Sequence, residues 1–394
     1  MKTNVGVFFG GRSTEHEISV ISANQAMHAF DETKYNVIPI YITKEGKMYT
    51  GPKLFDIQAY KNTAELISQC KEVFLKSQFG DFHLYTEKKS MFGRKLVAMD
   101  QLDIAMPVLH GANGEDGSFQ GLLRMIGVPF VGCDVMASAN GMDKISMKML
   151  LRDAQIPVVD FVWFTEKNWH NSKNNIIDEI ENKLGYPVIV KPSNLGSSVG
   201  IGKASNREDL ELKIKGAQKF SDRIIVEKLI EQLQEINCSV LGNADSYKMS
   251  VLEEPLKTGD FLSYEDKYMG GSKGQKGMQA SAKRIPAELP DDVTTKIQRL
   301  AGDTFRILDC NGVSRVDVII DKSSSEVFVN EINTIPGSLS FYLWEATGLK
   351  FSQLLDELIK LALKRTHDIE KKTFSFDQNI FAMGGGIGLK GVKK

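Results

Sequence analysis

The chain has 394 residues, which is too long for one ordinary hydrophobic core and predicts two or three domains. Its apolar fraction of 42% and charged fraction of 25% are those of an ordinary globular protein. A net charge of −1 argues against a general affinity for nucleic acid or anionic membrane, and no apolar run approaches the roughly 20 residues that a membrane span needs.

Four cysteines are scattered through the sequence without a CxxC pair, and six histidines are equally dispersed. This pattern favours reduced thiols over disulfides and argues against a transition-metal site. The first residues have too short an apolar core for a signal peptide. We therefore expect a cytoplasmic protein.

The first part of the chain reads as an α/β domain. Residues 4–9 predict a strand, followed by the glycine-rich turn GGRSTEHE and an apolar-periodic helix, so the helix N-terminus lies over whatever the turn binds. Glu15 and Glu17 in that turn can also simply complement the helix dipole, and for Glu17 we favour this. Residues 37–42 predict a second strand, and residues 45–100 are mixed and polar, which indicates an irregular insertion.

A further strand, residues 103–109, ends in the motif HGANGEDGSFQG. Its histidine and two acids after a strand end indicate the rim of a site at the carboxyl ends of the sheet.

The middle of the chain carries a second candidate ligand loop. A helix is predicted over residues 142–151, opening on Met-Asp-Lys, and a strand over 188–191 leads into KPSNLGSSVGIGKA. Small residues let backbone amides approach phosphate closely, although a plain flexible turn is equally consistent with this loop. No GxxxxGKS or GxxxxGKT motif is present, which excludes a Walker-type phosphate loop.

The next elements are strands over residues 224–227 and 236–241, followed by an aperiodic stretch rich in Gly, Ser and Lys at 258–284. A segment this long without periodicity inside a compact domain is typical of a functional lid. A helix is predicted over 291–310 and an amphipathic one over 351–365. The sequence GIGLKG at 386–391 is not a dinucleotide fingerprint, because only three residues follow it and no helix can form there.

The most informative stretch is the predicted hairpin SRVDVIIDKSSSEVFVNEIN, residues 314–333. If it is symmetric about Ser324, Asp317 lies opposite Glu331 and Arg315 lies opposite Asn333, all on one face. Val316, Val318, Ile320, Phe328 and Ile332 are predicted to form an apolar opposite face.

Two opposed carboxylates repel each other, and a divalent cation removes that conflict. Mg²⁺ prefers oxygen ligands from one or two carboxylates, so Asp317, Glu331 and the amide oxygen of Asn333 form a suitable set. Arg315 beside them is suited to clamp an anion. An ordinary solvent-facing hairpin is the alternative.

Taken together, the motifs resemble those of the ATP-grasp enzymes, and among them the D-alanine–D-alanine ligases. The motifs are GGRSTEHEIS, HGANGEDGSFQG, MDK, KPSNLGSSVG, EK followed by EIN, YEDKY, SRVDV and NEINTIPG, in that order. The resemblance covers nearly the whole chain to about residue 365. It implies an α/β, three-domain ATP-grasp fold with a Rossmann-like N-terminal domain at 1–133, a central subdomain at 134–226, a C-terminal subdomain at 227–366 with the lid at 258–284, and an extension at 367–394.

The resemblance also implies how ATP is bound. Lys144 and Lys191 match the lysines that reach the ATP phosphates, and Lys267 matches a lid lysine with the same task. Glu227 lies at the adenine-binding strand, and Glu235 matches the carboxylate that takes the ribose hydroxyls.

For the reacting groups, the resemblance assigns Asp317, Glu331 and Asn333 to Mg²⁺ or Mn²⁺, with two ions per site. Arg315 and Gly337 match the groups that hold the oxygens of the acyl phosphate and the tetrahedral intermediate.

Substrate contacts follow in the same way. Glu15, Ser197 and Tyr268 match a hydrogen-bonded trio in which Glu15 also receives the ammonium of the first amino acid. His110 matches a histidine near the substrate carboxylates. The loop after Gly337 is shorter than in most of these ligases, and Ser338 with Leu339 is expected to bind the carboxylate of the second substrate.

The implied activity is the ATP-dependent joining of two D-alanines for peptidoglycan, by a homodimer that binds neither nucleic acid nor membrane. An ATP-grasp ligase with another acceptor, such as D-serine or another small amine, is the alternative. A catalytically silent ATP-binding regulator is a third possibility, which the substrate-side residues argue against.

Overall fold

A computed structural model describes residues 2–90, 93–196, 199–256 and 283–375. Most of the predicted lid lies outside these ranges, as does the predicted extension from residue 376 onward. Three candidate site residues also lie outside them: Ser197, Lys267 and Tyr268. The described residues form three β-sheets surrounded by helices. In these ranges, every helix is too short or too polar to cross a bilayer.

The first sheet has seven strands in the order β6-β5-β4-β3-β2-β1-β7. Their bounds are β1 Thr3–Gly10, β2 Tyr35–Ile42, β3 Met48–Thr50, β4 Lys71–Leu75, β5 His83–Ser90, β6 Gly93–Gln101 and β7 Ile104–Val108. The helices of this part are α1 His16–Ala29, α2 Thr63–Ser68 and α3 Ser118–Ile126. β1 runs parallel to both β2 and β7, so the carboxyl ends of these three strands meet at one edge.

The prediction of an irregular insertion at 45–100 is wrong. This stretch contributes β3 to β6 and α2, and its four strands extend the first sheet. β5 and β6 form a hairpin in which Lys88 lies opposite Lys95 and Lys89 opposite Arg94. Most of these side chains are exposed, so the strands lack the apolar alternation by which a half-buried strand is recognised.

The second sheet has four strands in the order β10-β9-β11-β8. The elements of this part are α4 Val135–Met142, α5 Lys144–Asp153, β8 Phe161–Thr165, α6 Glu166–Lys183, β9 Val188–Pro192, β10 Gly202–Ala204, α7 Arg207–Ala217 and β11 Arg223–Lys228. The predicted helix over 142–151 is two helices that meet at Asp143, whose side chain caps α5 by accepting from the Ser146 N–H at 2.8 Å. The predicted domain boundary at 226 falls inside β11.

The third sheet has five strands in the order β14-β13-β12-β15-β16. The elements are β12 Leu233–Asn243, β13 Ser246–Pro255, β14 Lys283–Arg284, α8 Asp291–Ile307, β15 Gly312–Asp321, β16 Glu326–Asn333, α9 Phe341–Ala346 and α10 Phe351–Glu370. α10 continues past its predicted end at residue 365, so the predicted extension begins inside this helix.

One apolar cluster joins the first sheet to the third. It contains Phe9 from β1, Val313 from β15 and three leucines of α10, all of them buried (Leu354, Leu355 and Leu358). A second cluster lies between α8 and the inner face of the third sheet. The outer face of that sheet is thereby left to polar residues.

Candidate active site

Polar side chains form a row across the third sheet. Asp317 on β15 pairs with Glu331 on β16 and with Asn237 on β12, and Asn237 in turn pairs with Glu253 on β13. Directly opposed residues share one face of a sheet, so these four side chains lie side by side. Arg315 lies opposite Asn333 in the next row. The two pairings predicted for the hairpin are therefore confirmed.

The predicted apolar face needs one correction. A bulge between Asp317 and Val318 shifts the register, so that Val318 lies opposite Val329. Val327 and Val329 are buried in the core, whereas Phe328 is only half-buried and lies opposite Ile319. The prediction that Phe328 packs into this core is wrong, because a strict alternation from residue to residue cannot reveal a bulge.

Asp317 is buried and has two partners. The Arg315 guanidinium donates from Nε to Oδ1 at 2.6 Å and from Nη2 to Oδ2 at 2.7 Å, and Asn333 Nδ2 donates to Oδ2 at 3.1 Å. Burial raises the pKa of Asp317 to about 6; Arg315 opposes this rise, whereas Glu331 and Glu235 add to it. The site face thus concentrates negative charge around a buried carboxyl group.

Lys144 connects the second and third sheets. Its Nζ lies 3.1 Å from Glu331 Oε2 and donates to the Leu195 carbonyl at 2.8 Å, while its main-chain N–H donates to the Ser193 carbonyl at 2.8 Å. Burial alone would lower the pKa of Lys144, but Glu331 and other carboxylates raise it, so the ammonium stays charged. The predicted small-residue loop is thereby held beside the predicted metal face.

Glu227 lies between two buried lysines. Its Oε2 is 2.7 Å from Lys191 Nζ, and its Oε1 is 3.1 Å from Lys148 Nζ, which is fully buried. Burial would raise the pKa of Glu227, but the two lysines outweigh it and lower the pKa to about 2. The contact between Lys148 and Glu227 is an ion pair whose geometry does not meet that of a hydrogen bond. Among the described residues, the Lys148 ammonium therefore has no aligned hydrogen-bond acceptor.

Sequence reasoning missed Lys148. A signal was present, because Lys148 follows Lys144 by four residues and the two therefore share one face of α5.

Glu15 precedes α1 and is largely buried where the first and second sheets meet. A Cβ on Gly111 would lie 2.8 Å from Glu15 Oε2 and a Cβ on Gly196 would lie 3.2 Å from Glu15 Oε1, so both loops approach this carboxylate closely. Gly111 also has φ of +71°, which favours glycine. Gly196 precedes Ser197, a predicted partner of Glu15 that lies outside the described residues.

Glu115 ties the HGANGEDG loop to the loop after β16. Its carboxyl group accepts from the Gly111 N–H at 2.8 Å and from the Ile335 N–H at 3.1 Å. Burial, together with the Glu15 carboxylate, raises the pKa of Glu115 to about 8. The sequence motif indicated an acid at this rim, but the contact with Ile335 depends on the tertiary structure.

His110 is buried and lies in a short hydrogen-bonded chain. Its Nε2 is 2.9 Å from Ser22 Oγ, which also accepts from the Ser338 N–H at 2.9 Å. Burial and Arg315 lower the pKa of His110 to about 4, so the ring is neutral near pH 7.

The turn after Gly337 is unusual. Ser338, Leu339 and Ser340 have φ of 53°, 52° and 50°, a left-handed conformation that costs roughly 1–2 kcal/mol for each L-residue. The Leu339 N–H donates to the Pro336 carbonyl at 2.8 Å, and the Leu339 side chain packs in the core. The backbone N–H groups of Ser338 and Leu339 therefore both have acceptors inside the protein.

Two predicted residues remain, one on the third sheet and one in the turn after β16. Glu235 on β12 is half-buried and opposite Ile319, next to the Asp317 row. Gly337 begins the unusual turn directly after Pro336.

The donor set suits a hard divalent cation. Within the described ranges, no cluster of three or more His, Cys, Asp or Glu side chains has metal-binding geometry. Asp317, Glu331 and Asn333 supply two carboxylates and one amide on one face, which matches Mg²⁺ sites that draw their other ligands from phosphate and water.

Comparisons with known proteins agree over the whole described fold. Residues 4–133 match the family model "D-ala D-ala ligase N-terminus", and residues 150–360 match "D-ala D-ala ligase C-terminus". The chain is 41% identical over 378 residues to a D-alanine–D-alanine ligase from Thermosipho melanesiensis, covering 96% of this chain and 98% of the relative.

Two solved structures are also similar. A D-alanine–D-alanine ligase from Coxiella burnetii matches with a TM-score of 0.77 at 30% identity, covering 94% of this chain and 96% of that one. The VanG D-Ala:D-Ser ligase from Enterococcus faecalis matches with a TM-score of 0.75 at 31% identity, covering 92% and 100%. These likenesses confirm the predicted fold class.

The first prediction concerns Glu227. Glu227→Gln leaves Lys148 and Lys191 buried together without a counter-charge, which typically costs about 3–5 kcal/mol of unfolding free energy. The folded pKa lies below the ordinary 4.5, so this stabilisation is present above pH 4.5 and is lost as the pH falls towards 2. Urea denaturation at pH 7 measures it. The control Glu181→Gln removes a surface partner of Arg207 and is expected to cost much less, because exposed ion pairs contribute little to stability. Equal losses of unfolding free energy in the two variants would show that the buried Glu227 pairs stabilise the fold no more than a surface pair.

The second prediction concerns Glu115. The folded state holds the proton of this group more tightly than the unfolded chain does, so its contribution to stability falls as the pH rises from 4.5 to about 8. We expect the stability of the wild-type protein to decline over that window relative to Glu115→Gln, which cannot titrate. Denaturation curves of both proteins at half-unit pH steps measure the difference. A constant difference between the two would contradict the raised pKa.

Proposed function

The chain belongs to the D-alanine–D-alanine ligase family, and from that premise we propose that it joins two D-alanines at the expense of ATP, through an acyl phosphate, to make D-alanyl-D-alanine for peptidoglycan. The chain is a ligase that forms carbon–nitrogen bonds. The observation that carries the finer proposal is that Lys144, from the second-sheet side, contacts Glu331 of the third sheet, beside the Arg315–Asp317 pair.

ATP is proposed to lie between the second and third sheets. Lys144 and Lys191 are proposed to neutralise its phosphates, with Lys267 as a further candidate, and Glu235 is proposed to bind the ribose hydroxyls. Glu227 holds Lys191 in position. An open cleft of about 530 Å³, lined by the backbone after β11 and by Phe328, is a candidate for the adenine.

Asp317, Glu331 and Asn333 are proposed to hold Mg²⁺ or Mn²⁺, with two ions per site. When bound, the cation neutralises charge that builds up on the transferred phosphoryl group. The arrangement supports this because the two carboxylates lie opposite each other on adjacent strands, and each contacts a cationic side chain, Arg315 for Asp317 and Lys144 for Glu331.

The first D-alanine is proposed to bind with its ammonium on Glu15 and its carboxylate near His110. A carboxylate oxygen attacks the γ-phosphorus, the bond from that phosphorus to the bridging oxygen of ADP breaks, and ADP leaves. Glu15 and His110 come from the two loops at the carboxyl ends of β1 and β7, so they are placed to orient this substrate. The trio of Glu15, Ser197 and Tyr268 stays a proposal.

The amine of the second D-alanine, in its neutral form, then attacks the carbonyl carbon, and the carbon–oxygen bond to phosphate breaks as the amide forms and the nitrogen loses a proton. Arg315 uses two of its five N–H donors on Asp317, and the others are suited to hold the oxyanion. Gly337 begins the turn beside this position. The homodimer and the cytoplasmic location also stay proposals.

The third prediction tests the reaction itself. Purified protein with ATP, Mg²⁺ and D-alanine is expected to release phosphate and form D-alanyl-D-alanine in equal amounts, measured by a phosphate assay and mass spectrometry. Parallel reactions with D-alanine plus D-serine test the alternative acceptor, because one structural relative is a D-Ala:D-Ser ligase. ATP binding without turnover in any mixture would point instead to a silent regulator.

The fourth prediction concerns Asp317. Asp317→Asn removes a carboxylate ligand, and we expect ligation to fall by about three orders of magnitude or more, because cation stabilisation of the transferred phosphoryl group amounts to several kcal/mol. The matched control Asp303→Asn lies on α8, which packs on the opposite face, and should retain activity. Both variants are compared by dipeptide formation over a Mg²⁺ titration. Normal turnover of Asp317→Asn would show that the metal face is assigned wrongly.

A further inference from the structure

A cluster of three side chains lies at the edge of the site and was assigned no role by the sequence motifs. Lys283 Nζ lies 3.3 Å from Glu253 Oε1 and 3.6 Å from the centre of the Tyr342 ring, and Tyr342 Oη donates to Glu253 Oε2 at 2.9 Å. Each member thus contacts the other two. We refer to these residues as the Lys283 cluster.

The Lys283 cluster borders the groups that hold the reacting carbonyl in the proposed mechanism. Glu253 is the last member of the polar row that begins at Glu331 and passes through Asp317. Tyr342 is the second residue of α9 and follows Gly337 by five residues. Both Tyr342 and Glu253 are close enough to Arg315 to influence it electrostatically. The cluster therefore lies on the side of Arg315 that faces away from Glu331.

An acceptor amino acid brings a carboxylate that takes no part in the reaction and must be bound beside the reacting groups. Burying a carboxylate is unfavourable unless it meets a cation or several hydrogen-bond donors. The backbone N–H groups of Ser338 and Leu339, which the shortened loop offers as donors, already donate to Ser22 and Pro336. A further donor close to Arg315 would therefore stabilise this carboxylate.

Lys283 has the chemistry for this task. An ammonium group carries three N–H donors, and the Glu253 carboxylate and the Tyr342 ring face account for two directions. Burial raises the pKa of Tyr342, so its hydroxyl stays protonated and keeps its hydrogen bond to Glu253. The ammonium is held by these two contacts and remains partly exposed (25%).

We propose that Lys283, positioned by Glu253 and Tyr342, binds the carboxylate of the acceptor amino acid. This inference rests on the proposed ligase function and names the group that recognises the second substrate.

The test is an internal competition between two acceptors. D-Alanine and D-alaninamide are present together, and the two products, D-alanyl-D-alanine and D-alanyl-D-alaninamide, are measured by mass spectrometry. D-Alaninamide has no carboxylate to be activated, so it acts only as acceptor. Because both products arise from one acyl phosphate, their ratio is independent of how much variant is folded or how fast it activates the donor.

We expect Lys283→Met to shift the product ratio towards the amide by about 10- to 100-fold, the loss typical of one hydrogen bond to a charged group. Lys283→Arg keeps the positive charge and should recover much of the preference for D-alanine. The control Lys248→Met removes an exposed lysine of β13 that lies 5.9 Å from the Trp344 ring, and should leave the ratio unchanged.

Two outcomes distinguish a failure of the Lys283 inference from a failure of the proposed ligase function. If the wild-type protein forms both products and Lys283→Met gives an unchanged ratio, Lys283 is only an ion-pair partner of Glu253 and this inference is wrong. If the wild-type protein forms neither product, the proposed function fails and the inference fails with it.

Discussion

The structure depends on the pairing of buried carboxylates with cations around the outer face of the third sheet. Asp317, Glu227 and Glu253 are nearly inaccessible to solvent, and an unpaired buried charge destabilises a fold by several kcal/mol. Each of them contacts a lysine or an arginine. Each of these three pairs lies within one sheet, so it holds the charged side chains on the face of that sheet in place.

Other ion pairs bring distant parts of the chain together. Lys144 at the start of α5 reaches Glu331 on β16, and Arg223 on β11 reaches Asp143, which caps α5. On the other side, Glu115 binds the backbone of the loop after β16 and thereby joins the first sheet to the third. Loops from all three sheets therefore converge on one surface, where the sequence motifs are found.

How much of this could be predicted depends on the range of the interactions. The pairing of Asp317 with Glu331 followed from a symmetric turn and the two-residue period of strands, but the bulge beside Asp317 did not, because it changes no residue pattern. The exposed hairpin β5–β6 has too few buried positions to show a period. The roles of Lys148 and Lys283 depend on which acid each one meets across the fold, and no local pattern contains that information.

The pairing also constrains how substrates can enter the proposed site. A phosphate or carboxylate that takes Lys144, Lys191 or Arg315 as its partner leaves a buried carboxylate behind it without a cation. Glu227 contacts a second lysine, Lys148, which stays beside it if Lys191 turns away. In the proposed mechanism, a divalent cation held by Asp317 and Glu331 would compensate the charge exposed when Arg315 and Lys144 turn to the substrates. The proposal therefore implies that nucleotide binding and cation binding are thermodynamically coupled. If Lys191 turns to phosphate as proposed, Lys148 remains beside Glu227 and neutralises its charge.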